Sequence, residues 1–263
     1  MVATLGEFTN PMDETAAMQE RIHTFCDAAL NLVFPPSCFA CGRELTPNSS
    51  CGRILFCADC LDQLQIYEPP FCSRCGCGQL GSSEFCPHCL NDKLDFDRAI
   101  ALGDYGGHFR EMVLRMKKSS GESLALAVGE LMWVYCRDRL REVEADFIVP
   151  VPMHWLRRTR RGTNSAAILA EVLGRRLRVP VRPGILRRHR NTLPQSGLSR
   201  RQRVRNLSGA LALGVSYGLQ GTRVLLVDDI MTTGSTCNAA TGLLKTAGVV
   251  HVTVATAVRS PAV

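Results

Sequence analysis

The sequence lacks the two features that would direct a chain into or across a membrane. No apolar run reaches about eighteen residues, so a membrane-spanning helix is not expected. Residues 1–30 mix acids with apolar residues and show no basic start followed by an apolar block, so a secretory signal is not expected either. These two absences predict a cytoplasmic protein.

Acidic residues are nearly missing from one long span of the chain. Residues 151–210 contain fifteen arginines and a single acid, Glu171, whereas the whole chain carries a net charge of +7. Such a concentration favours an anionic partner, either a polyphosphate ligand or a nucleic-acid backbone. A solvated, unstructured arm is the alternative, but apolar patterns typical of helices and strands interrupt the arginines.

Cysteine, by contrast, is abundant. Of thirteen cysteines, eight form four Cys-x-x-Cys pairs between residues 38 and 89. In a cytosolic chain this spacing indicates metal binding, because two tight turns bring four thiolates to one tetrahedral ion; buried or redox-active thiols are the alternative. The predicted ligands of two structural zinc ions are Cys38, Cys41, Cys57, Cys60, Cys72, Cys75, Cys86 and Cys89.

The order in which the four pairs combine is open from spacing alone. Sequential pairing, first with second and third with fourth, is favoured over interleaved pairing because shorter loops close at a lower entropic cost. Cys51, Cys77 and His88 are further side chains of ligand type that the eight-cysteine arrangement does not use.

A phosphate site is predicted in residues 221–236, which read GTRVLLVDDIMTTGST. Residues 224–227 form an apolar run typical of a buried strand, and Asp228 and Asp229 follow it. The next turn is small and hydroxylic and leads into a helical pattern, so its backbone N–H groups and the helix dipole can hold a phosphate. Its phosphate-binding residues would be Thr232, Thr233, Gly234, Ser235 and Thr236.

The two acids would repel a phosphate, so they suit the hydroxyls of a ribose, with or without a cation. The alternative is a strand that ends in a polar turn and starts a helix with a Ser or Thr cap. Capping alone does not require two acids and four hydroxyls. This order of residues closely resembles the phosphoribosyl pyrophosphate (PRPP) motif of type I phosphoribosyltransferases.

Strand and helix patterns alternate from residue 97 onward, which predicts an α/β domain with a mostly parallel sheet. Strands are predicted at 98–105, 146–152, 179–186, 224–227 and 251–258, and helices at 108–116, 123–140, 165–176 and 237–245. An amphipathic helix is predicted within 13–34, and a long arginine-rich loop within 187–206. The predicted units are an N-terminal segment (1–34), a small double zinc ribbon (35–92) and the α/β domain (95–263).

Several separate motifs share one resemblance. They are the four Cys-x-x-Cys pairs; Tyr105-Gly106-Gly107 with Lys117; IVPVP at 148–152; RGTN at 161–164; Gln195 with Arg203 and Asn206; and VLLVDDIMTTGST. Together they resemble the competence protein F (ComF)/GntX-like family, in which a double zinc ribbon precedes a type I phosphoribosyltransferase-like domain. Thr163 and Leu211 depart from that family, whose members more often carry aromatic residues at these two positions.

The resemblance implies cytosolic work linked to DNA uptake or use. Asp228 and Asp229 would be the catalytic pair and Mg²⁺ would accompany PRPP. The loop 151–161, with Val151, Pro152 and Arg161, would bind pyrophosphate, and the arginine loop with Arg203 would close over it.

Two hypotheses remain for the function. The first is a phosphoribosyltransferase whose acceptor the sequence does not name. The second is a non-catalytic PRPP- or nucleotide-sensing adaptor that binds single-stranded DNA or a DNA-uptake helicase partner. Only the first predicts release of pyrophosphate.

Overall fold

The computed structural model describes residues 35–45, 55–78, 86–90, 93–153, 163–189, 209–214 and 218–260. Its helices are α1 (Ala58–Gln63), α2 (Gly107–Met116), α3 (Glu122–Arg141), α4 (Ser165–Leu177) and α5 (Ser235–Thr246). Its strands are β1 (Arg98–Asp104), β2 (Phe147–Pro150), β3 (Leu186–Arg188), β4 (Leu211–Leu213), β5 (Arg223–Met231) and β6 (His251–Arg259). No helix among these residues is long and apolar enough to span a bilayer.

Four strands form a parallel sheet in the order β1-β6-β5-β2. Val and Leu fill the central positions of β5, and the parallel neighbours β6 and β2 cover both of its edges. A separate antiparallel pair, β3-β4, lies outside this sheet. The predicted α/β domain with a mostly parallel sheet is therefore confirmed, and the carboxyl ends of its strands share one edge.

Both faces of the sheet are buried, which explains the continuous apolar run in β5. Alternate side chains of a strand point to opposite faces. Leu225 and Val227 pack in a cluster with α2, α3 and α4, whereas Val224 and Leu226 pack in a second cluster with α5 and β4. Helices thus fix the position of β5 from both sides.

The cysteine-rich segment packs directly on this domain. Cys38, Phe56 and Leu64 belong to the same hydrophobic cluster as Leu102 of β1 and residues of α2 and α3. The backbone between the two ribbons adds to the free edge of β1, where the Tyr67 N–H donates to Leu102 O at 2.8 Å. One hydrophobic core therefore includes residues of both predicted units, 35–92 and 95–263. The boundary between these units remains a prediction.

The structure alters two local predictions. β5 continues four residues beyond Val227, so the acid pair lies within the strand, with Asp228 opposite Thr256 of β6. The strand predicted at 179–186 is wrong: Val181 makes a single bridge to Ile148, and the strand begins at Leu186. A proline and a glycine at 183–184 place a turn there instead.

The predicted helix within 13–34 lies outside the described residues. The same is true of most of the arginine-rich loop, including Arg161 and Arg203.

Candidate functional site: a phosphate turn beside two acids

The turn between β5 and α5 has the geometry of an anion site. Gly234 adopts a left-handed conformation (φ 69°) that a residue with a Cβ rarely accepts, and the chain then enters α5 at Ser235. Among the residues that the structure describes, no side chain caps the first turn of α5. Thr233 Oγ1 lies 2.7 Å from Ser235 Oγ. The open N–H groups of a first helical turn, beside two hydroxyls, suit phosphate oxygens.

The acid pair lies at the same edge of the sheet. The Asp229 N–H donates to Asp228 Oδ1 at 2.8 Å, which orients the Asp228 carboxyl. Lys117, at the carboxyl end of α2, places its Nζ 3.3 Å from Asp229 Oδ2. Both side chains of this pair are largely shielded, 26% and 14% exposed. Lys117 thus holds the Asp229 carboxyl in one orientation.

The surroundings of Asp228 shift the pKa of its carboxyl. Surrounding protein atoms and the adjacent Asp229 carboxylate raise the pKa of Asp228 to about 7, although Lys117 and Arg188 act in the opposite direction. Burial raises the pKa of Cys237, in the first turn of α5, well above its ordinary value, so that thiol is a neutral packing residue. One acid of the pair therefore titrates near neutral pH.

Of the other predicted phosphate contacts, the structure places two near the acids. β2 is the neighbour of β5, and the Val151 N–H donates to Val227 O at 2.8 Å. Val151 and Pro152 thus begin their loop directly beside Asp228. Arg161 and Arg203 lie outside the described residues, so their expected pyrophosphate contacts remain predictions.

Lys117 and Thr163 are site residues that sequence reasoning did not place there. The Thr163 hydroxyl donates to Lys118 O at 3.2 Å, and Ser165 donates to Met116 O at 3.2 Å. These two bonds fix the chain on either side of Lys117. No local pattern signalled the Thr163 contact, because its bond to Lys118 O joins residues 45 positions apart.

Residues 93–96, just after the last cysteine pair, line the outer side of the phosphate turn. Asn238 of α5 donates to Lys93 O at 2.6 Å and accepts from the Asp95 N–H at 3.0 Å. A Cβ added at Gly234 would meet Leu94 Cδ2 at 3.2 Å and Phe96 at 3.5 Å. The segment that leaves the second ribbon is therefore part of the wall of the phosphate site.

The first cysteine cluster has the composition and spacing of a structural zinc site. The Sγ atoms of Cys38, Cys41, Cys57 and Cys60 all lie within 4.8 Å of one another. Four sulfurs bound tetrahedrally at about 2.3 Å must be about 3.8 Å apart, and Cys41 and Cys57 are separated by 3.8 Å. The Cys57 N–H points at Cys38 Sγ at 3.4 Å, as expected for a thiolate. The sequential pairing of the first two motifs agrees with this geometry.

The second cluster contains one more sulfur than predicted. The mutually close group is Cys72, Cys75, Cys77 and Cys86. Cys89 lies against it, with its Sγ 3.8 Å from Cys72 Sγ. These five thiols again fit zinc, and the third and fourth pairs combine as expected. Cys77, which the spacing had left unused, lies inside the cluster.

Comparison with known proteins agrees with both parts of the chain. The double zinc ribbon domain model matches residues 29–90, and the phosphoribosyl transferase domain model matches residues 159–262. Competence protein F of Haemophilus influenzae is 33% identical over 202 residues, which cover 75% of this chain and 87% of that protein. The chain belongs to the competence protein F family.

Other members and solved structures extend the comparison. DNA utilization protein YhgH of Escherichia coli is 29% identical over 208 residues, covering 78% of this chain and 88% of that protein. A purine phosphoribosyltransferase from Pyrococcus horikoshii aligns with 51% of this chain and 69% of its own, at 19% identity and a TM-score of 0.30. The two domain models, not the solved structure, show that the chain combines a double zinc ribbon with a phosphoribosyl transferase domain.

Proposed function

We propose that this protein binds PRPP, or another ribose 5-phosphate group, at the β5–α5 turn and acts as a phosphoribosyltransferase in DNA uptake or use. The observation that carries the proposal is the pairing of an uncapped helix start at Gly234–Ser235 with two shielded acids, Asp228 and Asp229, on the preceding strand. The link to DNA rests on the names of the relatives, competence protein F and DNA utilization protein.

Each group of the ligand has a matching set of side chains. The 5-phosphate would take the N–H groups of the first turn of α5 and the hydroxyls of residues 232–236. The ribose 2- and 3-hydroxyls would donate to Asp228 and Asp229. Lys117 would hold the Asp229 carboxylate in place, so it is oriented before the ribose hydroxyls arrive.

The reaction would need little covalent catalysis by side chains of the protein. Pyrophosphate leaves C1 of the ribose as the acceptor enters, and the ribose carbon gains positive character that the shielded carboxylates can stabilise. Val151 and Pro152, with Arg161 and Arg203, would hold the leaving pyrophosphate. Mg²⁺, bound with PRPP, would neutralise part of its charge. Excluding water by closing the arginine loop would favour transfer over hydrolysis.

Calorimetry with Mg²⁺-PRPP, ribose 5-phosphate and nucleoside 5-monophosphates tests binding. We expect heat of binding with PRPP and competition by ribose 5-phosphate. Absence of binding to all of these ligands at millimolar concentration would contradict the proposal.

A non-catalytic adaptor that senses PRPP or a nucleotide and binds single-stranded DNA or a helicase partner is the second candidate. The fifteen arginines of residues 151–210 favour it, because a cationic span of this density suits a nucleic-acid backbone. The two candidates share the phosphate turn and differ in turnover. A pyrophosphate-release assay with a panel of acceptors separates them, since the adaptor binds PRPP without releasing pyrophosphate.

A further inference from the structure

The second ribbon gathers five sulfurs where one zinc ion takes four. Cys77 Sγ lies 3.5 Å from Cys75 Sγ and 3.3 Å from Cys86 Sγ. Both distances are shorter than the separation of about 3.8 Å between two sulfurs on one zinc. The side chains of Cys75, Cys77 and Cys89 are buried, at most 3% exposed. The cluster is therefore too crowded for all five sulfurs to bind at once, yet Cys77 is within reach of the ion.

The backbone holds Cys77 in this position. Gly76 has φ 76°, its N–H donates to Cys72 O at 2.8 Å, and Cys72 N–H donates to Cys77 O at 2.8 Å. A Cβ at Gly76 would lie 2.8 Å from Ala99 O of β1, so only glycine fits between the turn and the sheet. The close packing on β1 fixes the direction in which the next side chain, Cys77, leaves the turn.

A buried cation faces the same cluster. Arg259, the last residue of β6, is 2% exposed and donates through Nη2 to His88 O at 3.0 Å. Its Nε and Nη1 are buried and find no hydrogen-bond partner among the described residues. A buried guanidinium with unused donors suits an anion, and zinc with four thiolates carries a net charge of −2.

We propose that Cys77 is a zinc ligand of the second ribbon. It alternates with Cys89 at one coordination position, and the constant ligands are Cys72, Cys75 and Cys86. Cys77 Sγ lies beside the sulfurs of Cys75 and Cys86, whereas Cys89 Sγ lies 3.8 Å from Cys72 Sγ, so both would be in reach of an ion held by the constant ligands.

Exchange leaves the charge of the site unchanged. The entering thiol loses its proton to solvent as it binds, and the leaving thiolate takes one up. The ion therefore keeps four sulfurs while one cysteine is free. Because residues 93–96 follow Cys89 and pack on the phosphate turn, release of Cys89 gives that wall freedom to move without loss of zinc.

Single substitutions test the exchange. Cys77→Ser and Cys89→Ser should each retain two zinc ions per chain, because four sulfurs remain. After cobalt substitution, the absorption spectrum of each variant should stay that of two four-sulfur sites. The double variant should lose one four-sulfur site. Cys136→Ser is the matched control, since this buried cysteine of α3 belongs to neither sulfur cluster. Loss of a four-sulfur site in either single variant would overturn the proposal.

A measurement on the wild-type chain keeps the test independent of variant folding. In native protein treated with iodoacetamide, the labels at Cys77 and Cys89 should sum to one per chain in peptide mapping, while native mass spectrometry still counts two zinc ions. Label at Cys26, Cys51, Cys136 and Cys237 is counted separately, because none of these cysteines is among the sulfurs described in either cluster. Labelling of neither cysteine before zinc is lost would mean that both are inert and would contradict the exchange.

Discussion

Asp228 and Asp229 are adjacent residues of one strand that meet different surroundings. Successive side chains of a strand point to opposite faces. Asp229 meets the Lys117 ammonium at 3.3 Å, whereas the protein interior around Asp228 raises its pKa to about 7. Asp228 is therefore the group of the pair whose charge responds to pH near neutrality.

Removal of the Asp229 charge should weaken ligand binding. Asp229→Asn replaces a charge-assisted acceptor, a loss of about 1.5–3 kcal/mol, so the Kd for Mg²⁺-PRPP should rise about tenfold or more in calorimetry. Asp138→Asn, a highly exposed acid of α3 paired only with Arg137, is the control and should leave Kd unchanged. Equal affinities for the Asp229→Asn protein and the wild type would show that the Asp229 carboxylate does not bind the ribose.

The raised pKa of Asp228 makes the stability of the ligand-free protein depend on pH. The folded protein binds this proton more tightly than the unfolded chain, so the Asp228 contribution to the free energy of unfolding falls as pH rises from 3.8 to about 7. The Asp228→Asn side chain does not ionise, so this fall in the free energy of unfolding with rising pH is absent from the variant. Urea unfolding should show the variant gaining stability relative to the wild type between pH 5 and pH 8. A difference that stays constant with pH would show that Asp228 has an ordinary pKa.

At the scale of elements, the phosphate turn depends on a segment outside the strand–turn–helix unit. Residues 93–96 bond to Asn238 and pack near Gly234, so α5 is held from the side that faces the second ribbon. Lys245, at the other end of α5, binds Asp95 O at 2.9 Å and Asp97 Oδ1 at 3.1 Å. The start of the helix is therefore positioned by the chain that leaves the zinc site.

Asn238→Ala should loosen this attachment. It removes two hydrogen bonds, and we expect a loss of about 1–2 kcal/mol in the free energy of unfolding together with weaker PRPP binding. Thr246→Ala on the same helix is the control, because its hydroxyl bonds only to Gly242 O within α5. If both variants bind PRPP equally well, the wall formed by residues 93–96 does not position the turn.

At the scale of the whole molecule, the first ribbon and the sheet share one hydrophobic core. Phe56 and Leu64 pack in the cluster that contains Leu102 and Met112, and Arg115 of α2 donates to Phe39 O at 2.7 Å and Ala40 O at 2.6 Å. A ribbon joined in this way stabilises the sheet as well as itself, which a small module attached by a free linker would not do.

Chelation of zinc should therefore affect more than the ribbons. Hydrogen exchange after zinc removal should show faster exchange of amides in β1 and α2, because these elements pack on the first ribbon. Amides of β2, which lies at the opposite edge of the sheet from β1, should change less. Unchanged protection of β1 with rapid exchange in the ribbons would show instead that the cysteine-rich segment folds separately.

The basic charge of residues 151–210 also acts at the scale of the molecule. If the protein binds single-stranded DNA, its affinity should fall steeply with salt, because each neutralised phosphate releases counterions. Replacing Arg157, Arg158, Arg160 and Arg161 with Ala should weaken binding and flatten the salt slope. These residues lie outside the described ones. Unchanged affinity of the fourfold variant in fluorescence anisotropy would exclude this segment as the DNA site.

The sequence by itself determined the local units of the protein. Apolar runs of Val and Leu predicted the buried strands, the Cys-x-x-Cys spacing predicted zinc ribbons, and the order of acids and hydroxyls predicted a phosphate turn after β5. Each of these patterns extends over a few neighbouring residues, so the chain alone carries the information.

Only the tertiary structure decided which distant residues complete those units. Lys117 reaches Asp229, Arg259 reaches the second ribbon and residues 93–96 reach the phosphate turn, although each pair is separated by more than 100 residues. Cys77 enters the second cluster because Gly76 packs against β1. Such contacts depend on sheet order and on which faces are buried, and no local pattern in the sequence encodes them.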